Sequence, residues 1–448
     1  MESAVSEISL PAIRGRGRDS LRGVLDQLTA SQWWSPRRLQ QAQFRQLKNL
    51  LDYAAAHSPF YRQRLAGFDT GRLSTDSFRC IPLLTRAELQ AHGRQLDCLT
   101  VPDDHLPMRE IKTSGSTAQP VEVRDTAIGS LLWSAITLRD HHWHGRDFSA
   151  SLAAIRWRSD DRAMAPEGLR QADWGAPVNL LHATGPGYFL NIASDVKAQL
   201  GWWLAVDPVY LLTHPSNLRA LLNLLAESAA RPANLRQLRC VGEVVSDALR
   251  HQVKSLLGVP LIDMYTCQEL GYMALQCPQH SHYHVQSEHV ILEVLRDDGS
   301  PCGPGDTGRV VVTSLHNFAT PLIRYAIGDY AVPGGPCPCG RGLPVLRSIV
   351  GRSRNMVRRP DGSLIWPNIG FGEFSRVAPI RQFQVVQHSL QDIELRLVSA
   401  VALTVEQEAR IGAILARHLG SGFKVRISYH EQIPRSAGGK YEDVLSLL

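Results

Sequence analysis

The sequence is poor in lysine. Of its 48 basic residues only Lys48, Lys112, Lys197, Lys254, Lys424 and Lys440 are lysines, the rest being arginines. A scarce residue type is worth locating, and Lys440 follows two glycines near the C-terminus. The chain also lacks any apolar run of the ~18–20 residues that a bilayer span needs. Its apolar stretch Leu200–Leu212 is interrupted by Asp207 and Pro208. The N-terminus carries Glu2 and Glu7 and no positive-then-apolar leader, so a cytoplasmic protein with no membrane partner is expected. Internal repeats, low-complexity tracts and the Walker spacing Gly-x4-Gly-Lys-Ser/Thr are missing as well. A net charge of only +6 suits anionic small molecules such as nucleotides and is weak evidence for nucleic acid.

What is present is enough for a large folded body. The 448 residues, 44% hydrophobic and 20% charged, predict two or three domains with a sizeable core. Residues 1–64 are helix-prone, and Leu39–Ala56 has helical spacing that Ser58-Pro59 should end. Leu84–Leu89 reads as a capped helix start. From about 110 to 350, strands and helices alternate: strand Leu180–Leu181, helix Leu218–Ala229, strand Leu238–Val241, helix Ser246–Leu256, strand Pro260–Met264. That alternation predicts a layered α/β body with a largely parallel sheet. Residues 284–295 and 308–314 are β-rich around a turn at Asp298-Gly299, and 332–342 form no regular element. After Gly351 come strands Gln382–Gln387 and Glu394–Val398, helix Thr404–His418 and strand Lys424–Tyr429. The expected fold class is α/β: a large N-terminal domain over 1–350, opening with the helical segment 1–64, and a small α+β domain over 351–448.

Several segments carry chemistry-bearing residues. Thr113-Ser114-Gly115-Ser116-Thr117-Ala118-Gln119-Pro120 surrounds a glycine with hydroxyls that can hold phosphate oxygens. Asp263-Met264-Tyr265-Thr266-Cys267-Gln268-Glu269 follows an apolar strand, where α/β sheets bind ligands, and Glu269 could hold Mg²⁺ against a phosphate. Asp329, after Gly328 at the end of Pro321–Ile327, can accept hydrogen bonds from ribose hydroxyls. Pro434-Arg435-Ser436-Ala437-Gly438-Gly439-Lys440 places an exposed cation on a glycine-rich loop. Taken singly, each reads equally well as a turn, a solvated carboxylate or a tail lysine.

Together, in order and spacing, they resemble the adenylate-forming superfamily, and within it the phenylacetate–CoA ligase-like branch, over about residues 40–448. Thr113–Pro120 matches the family's phosphate loop except at Ala118, where Gly is usual. Tyr265 and Glu269 match its Tyr-Gly-x-Thr/Ser-Glu, Arg324–Asp329 its Arg/Tyr-x-Gly-Asp, and Gly242-Glu243 its adenine-pocket segment. Val350-Gly351-Arg352-Ser353 is similar to the hinge, with Arg354 where Asp is common, and Pro434–Lys440 carries the adenylation lysine. The resemblance implies a large adenylation domain with a small mobile lid. It implies AMP-forming activation of a carboxylic acid, aryl or arylalkyl, followed by transfer to coenzyme A. Thr113, Ser114, Gly115, Ser116 and Thr117 would bind phosphate. Gly242, Glu243, Tyr265 and Asp329 would bind nucleotide, with Arg324 and Arg352 adding charge. Glu269 would hold Mg²⁺ and Lys440 would neutralise the transition state. The expected partners are the acid, ATP and CoA, with a homodimer left open. Transfer to an amine or a carrier-protein thiol is the alternative, because no CoA motif is readable.

The eight cysteines do not form a disulfide framework in a reducing compartment. Cys277-x2-His280 and Cys337-x-Cys339 supply three sulfurs and one nitrogen, a tetrahedral structural zinc set, with His282 and His284 as alternative nitrogens. His141-His142-Trp143-His144 has no ligand spacing and reads better as a helix end or pocket wall. Trp133, Trp143, Trp157, Trp202 and Trp203 could line an aryl pocket, and none is assigned. Two other classes compete: a non-catalytic nucleotide-binding scaffold, against which Glu269, Asp329 and Lys440 argue, and a zinc-dependent nucleic-acid module, against which dispersed basic residues argue.

Overall fold

Short polar side chains set where the second and third helices begin. The computed structural model describes residues 2–112, 120–352, 355–367, 369, 371–434 and 441–448. After α1 (Arg18–Ser31), Ser35 accepts the Arg38 N–H and Pro36 takes the first turn of α2 (Pro36–His57). Ser58-Pro59 ends α2 as expected, and it also starts α3 (Pro59–Arg64), with Ser58 accepting from Tyr61 N–H. The helix α4 (Thr75–Arg79) precedes α5 (Arg86–His92), which opens with a reciprocal capping box between Thr85 and Glu88. A ribbon of β1 (Arg109–Lys112) and β2 (Glu122–Asp125) then leads into α6 (Ala127–Trp143).

The body is a twelve-stranded sheet. Its strands and outer helices are β3 (Leu152–Arg156), β4 (Leu169–Gln171), β5 (Gly187–Asn191), α7 (Val196–Val206), β6 (Tyr210–Thr213), α8 (Pro215–Ala226), β7 (Gln237–Val241), α9 (Asp247–Leu257) and β8 (Leu261–Cys267). They continue with β9 (Gly271–Gln276), β10 (Tyr283–Val285), β11 (Val290–Leu295), β12 (Gly308–Ser314), β13 (Tyr325–Pro333) and β14 (Val345–Arg352). The spatial order is β11-β12-β13-β14-β10-β9-β8-β7-β6-β3-β5-β4. Among the described residues, β5, β3, β6, β7 and β8 pair parallel and the pairings described beyond β8 are antiparallel, so the expectation of a largely parallel sheet fails there. There the connections shorten to turns such as 268–270, which can only return the chain antiparallel. The expected strand at Leu180–Leu181 is a single 3-10 turn, Val178–Leu180, and the real strand is β5. Two apolar residues carry no period, so they could not distinguish the two.

Register fixes which side chains share a face. Ala154 of β3 lies opposite Leu212 of β6, which lies opposite Arg239 of β7, which lies opposite Ile262 of β8. The alternate residues Ala153, Ile155, Leu211, Leu238, Cys240 and Leu261 face α7, α8 and α9 in one apolar cluster. On the other face Leu152, Tyr210, Val241, Met264 and Tyr272 pack with Leu132, Ala135 and Ile136 of α6.

By contact the chain divides into Met1–Val245 with Leu249–Ile349, and Ser246–Ala248 with Val350–Leu448. The smaller unit has two short strands, β15 (Val357–Arg358) and β16 (Leu364–Ile365), then α10 (Phe371–Ser375), β17 (Ile380–Gln387), β18 (Asp392–Ser399), α11 (Val405–Leu419), β19 (Lys424–Tyr429) and β20 (Val444–Ser446). Its four-stranded sheet is ordered β19-β18-β17-β20. Thr404 and Gln407 cap α11, and Ile411, Ile414, Leu415 and Leu419 bury its apolar stripe on Phe383, Val385, Leu395 and Leu397. Among the described residues no helix is long and apolar enough to cross a membrane.

Candidate active site

The parallel strands β3, β5, β6, β7 and β8 present their carboxyl ends along one edge, the edge at which such sheets take ligands. Tyr265 stands near the end of β8, and its hydroxyl donates to Asp329 Oδ2 at 2.7 Å. Two of the sequence segments, 64 residues apart, therefore meet in the buried interior. Glu269 sits in the turn between β8 and β9, only 8% exposed, with Oε1 3.9 Å from a guanidinium nitrogen of Arg86. The segment before α5 bonds into the start of β13 through Leu84 N–H to Arg324 O and Ala326 N–H to Leu84 O, each 2.9 Å. That pairing and the Thr85 cap bring Arg86 to Glu269. Tyr325 joins them: burial pushes its hydroxyl above the ordinary phenol range, the Glu269 charge adds to this and Arg86 opposes it. Sequence reasoning missed Arg86, because nothing in a capped helix start marks its first residue as facing a carboxylate.

Gly242 turns the chain after β7 with φ 85°, a conformation that favours glycine. Glu243 accepts from Ser216 N–H at 2.8 Å and from Ser216 Oγ at 3.0 Å, so its carboxylate caps the start of α8. Arg324 corrects the sequence reading. Its guanidinium forks onto Glu293 at 3.0 and 3.1 Å and donates to the carbonyls of Arg79 and Ile81. A side chain 3% exposed and tied on every side joins β13 to β11 and to the segment after α4, and offers nothing to a nucleotide. Arg352 ends β14, in the smaller unit. Thr113, Ser114, Gly115, Ser116, Thr117 and Lys440 lie outside the described residues.

Beside these segments, α6 crosses the sheet and carries the charge that the motifs do not. Asp140, fully buried, accepts from Arg146 at 2.7 Å and from Arg239 at 2.6 Å. Burial opposes its charge, yet the two guanidiniums hold its carboxyl well below the usual carboxylate range. Burial keeps His141 well below the ordinary imidazole range and His144 at about 4, so both flank Asp140 as neutral rings. The His141–His144 cluster is therefore a helix end, as expected, and packs instead of ligating. Toward the carboxyl edge, Trp133 of α6 lies against Tyr272, ring centroids 4.4 Å apart.

The cysteine cluster assembles with a different histidine. One ligand atom each from Cys277, His284, Cys337 and Cys339 lie within 4.8 Å of one another. Cys277 Sγ and Cys337 Sγ are 3.8 Å apart, too far for a disulfide, and Cys339 Sγ is 3.4 Å from His284 Nε2. Metal–sulfur bonds of ~2.3 Å in a tetrahedron give an edge of about 3.8 Å, so the donor set fits a structural zinc. His280, the choice from spacing, is exposed in the turn after β9, while His284 points inward from β10, which pairs with β14 beside the 337–339 loop.

The fold is similar to that of solved CoA ligases. Among solved structures, the chain superposes on 2-hydroxyisobutyryl-CoA ligase in its postadenylation state with 2-HIB-AMP, at TM-score 0.69 and 20% identity, over 91% of this chain and 89% of that one. Residues 360–446 match the CapK C-terminal domain. The chain is 25% identical to the phenylacetate-coenzyme A ligase of Thermus thermophilus, over 92% of this chain and 97% of the relative. It is 25% identical to that of Escherichia coli, over 89% and 93%.

Proposed function

We propose that this chain is an ATP-dependent, AMP-forming carboxylate–CoA ligase of the cytoplasm. The observation that carries the reading is the Tyr265–Asp329 hydrogen bond of 2.7 Å, which joins two nucleotide segments at the carboxyl edge of the sheet. The carboxylate of the acid attacks the α-phosphorus of ATP, pyrophosphate leaves, and the CoA thiol then displaces AMP from the acyl carbon. Asp329 accepts from the ribose hydroxyls, with Tyr265 fixing its carboxylate. Thr113, Ser114, Ser116 and Thr117 hold the outgoing phosphates, with Gly115 letting the backbone approach, and Gly242 and Glu243 border the adenine. Glu269 is the residue to hold Mg²⁺, which would supply charge neutralisation at the phosphates; a buried carboxylate already facing a cation at 3.9 Å suits that role. Lys440 adds a cation as the α-phosphorus becomes five-coordinate, and Arg352 contributes charge from the hinge.

The test is carboxylate-dependent ATP–pyrophosphate exchange without acceptor. Lys440→Ala is expected to lower it by about 10²-fold or more, the cost of removing one preorganised charge from a transition state. Unchanged exchange in that variant would remove the reading. Adding CoA, an amine or a carrier protein to the preformed adenylate then identifies the acceptor, with CoA expected.

Cys277, His284, Cys337 and Cys339 hold a structural zinc, pinning β10 to the loop before β14. Metal analysis of the purified protein should give about one zinc per chain, a closed four-ligand site. His284→Ala should lose it and His280→Ala keep it; the opposite pattern would restore the spacing-based choice.

A further inference from the structure

Where α6 meets the carboxyl edge of the sheet, guanidiniums outnumber the carboxylates that pair with them. Arg156 is the last residue of β3, two beyond Ala154, so register puts it on the α6 face with Arg239, Thr266 and Tyr272. Three guanidiniums, Arg146, Arg239 and Arg156, belong to this region, and among the described residues the one carboxylate paired with any of them is Asp140. Arg146 and Arg239 share it, and no ion pair or side-chain hydrogen bond engages Arg156. Arg156 is exposed to water at an edge where the parallel strands end. Surrounding protein nevertheless pushes its pKa down and Arg239 adds to the push, while Tyr272 opposes it. On that face Trp133 of α6, 37% exposed, lies against Tyr272 and forms an aromatic wall.

An unpaired guanidinium in such a place lacks a counter-ion. Its planar fork matches a carboxylate in a two-bond geometry, and the aromatic wall offers an apolar body something to lie on. We propose that the acid activated here is a dicarboxylic acid, one carboxylate presented to ATP and the other received, unreacted, by Arg156. The proposal rests on the adenylation reading and adds the substrate class to it.

Exchange is measured with matched pairs: p-phenylenediacetate against phenylacetate, and adipate against hexanoate. The wild-type protein should use each diacid at least about ten times better in kcat/KM, as expected when a partly desolvated Arg–carboxylate pair is present in one substrate and missing in the other. In Arg156→Leu this ratio should fall at least tenfold, and in Arg156→Lys, which keeps the charge but loses the fork, it should lie between. A wild-type preference for the monoacids, or a ratio unaltered by Arg156→Leu, overturns the proposal and leaves adenylation standing. If no acid supports exchange, adenylation fails, and calorimetric titration of p-phenylenediacetate decides the anion site alone. Binding lost in Arg156→Leu sustains it, and binding absent or independent of Arg156 ends it.

Discussion

The two faces of the parallel half of the sheet are built on opposite principles. The face toward α7, α8 and α9 is mainly aliphatic, with Ala153, Ile155, Leu211, Leu238 and Leu261 meeting Leu218, Leu221, Leu222 and Leu225, beside Trp203 and a single carboxyl, Asp263. The face toward α6 carries Arg239 in the middle of a strand, bonded to Asp140 of the helix, with Arg146, His141 and His144 around them. The same backbone register supports both. What differs is that the mainly aliphatic face needs mostly volume, its one carboxyl being met by the Tyr283 hydroxyl, whereas the α6 face must satisfy several charges at once. A sheet can be held by its first face alone, so the charge on the second points to a use for it, and the aromatic wall and Arg156 lie at the carboxyl end of that second face.

The largest effect that tests this contrast is Asp140→Ala. Removing the carboxylate leaves two buried guanidiniums facing each other, at a cost of ~3–5 kcal/mol. Denaturant unfolding should show that loss directly or as a chain that no longer accumulates folded. On the aliphatic face Leu211→Ala removes a fully buried side chain and leaves a cavity, at ~2–5 kcal/mol. Leu211→Met, which conserves volume, should cost less than about 1.5 kcal/mol, whereas Asp140→Asn, which conserves shape, should still destabilise. If Asp140→Asn were as mild as Leu211→Met, the two faces would differ in composition but not in principle.

Much of the scaffold was legible because it is locally encoded. The boundaries of β19 coincide with those read from Lys424–Tyr429, and the caps at Thr85 and Thr404 mark α5 and α11 where short-range chemistry says they should start. What was not legible depends on long-range pairing. The antiparallel half of the sheet could not be read from strands whose neighbours are set by turns and crossovers. His284 could not be preferred to His280, because strand β10 delivers it only once paired with β14. Arg324 shows the opposite error. Its motif marks it as a site residue, yet a left-handed backbone at φ 51° and a fork onto Glu293 make it a brace. Asp140 and Arg239 carry no motif at all, and pair only because α6 lies across β7.

The smallest effect is on acid stability, and it separates the faces by titration. The α7–α9 face has one group that titrates here, Asp263 opposite Cys240: burial raises its carboxyl to about 6, so it takes up a proton more readily when folded and opposes any loss of stability on acidification. On the α6 face His144, 3.5 Å from Asp140 Oδ1, is held near 4, chiefly by burial and further by Arg146 and Arg239, with Asp140 and a backbone bond to Gln276 opposing. A histidine whose folded pKa lies below its unfolded value of about 6.5 binds a proton more readily when unfolded. Its contribution is intact above about pH 6.5 and is lost as pH falls toward 4, amounting to about 3 kcal/mol from a shift of this size. His141 adds in the same direction, and the carboxyl of Asp140 adds a further loss below its own unfolded range near 3.9. Buried His105, His289 and His316 on other elements are also shifted down, so the wild-type curve alone does not isolate this face. The discriminating measurement is the slope of unfolding free energy against pH between 6.5 and 4 in His144→Gln. Losing one such group should flatten the slope by up to about 1.4 kcal/mol per pH unit. An unaltered slope would mean that the ring is already hydrated or charged at neutral pH, and that the α6 face holds its surplus cations without a neutral imidazole between them.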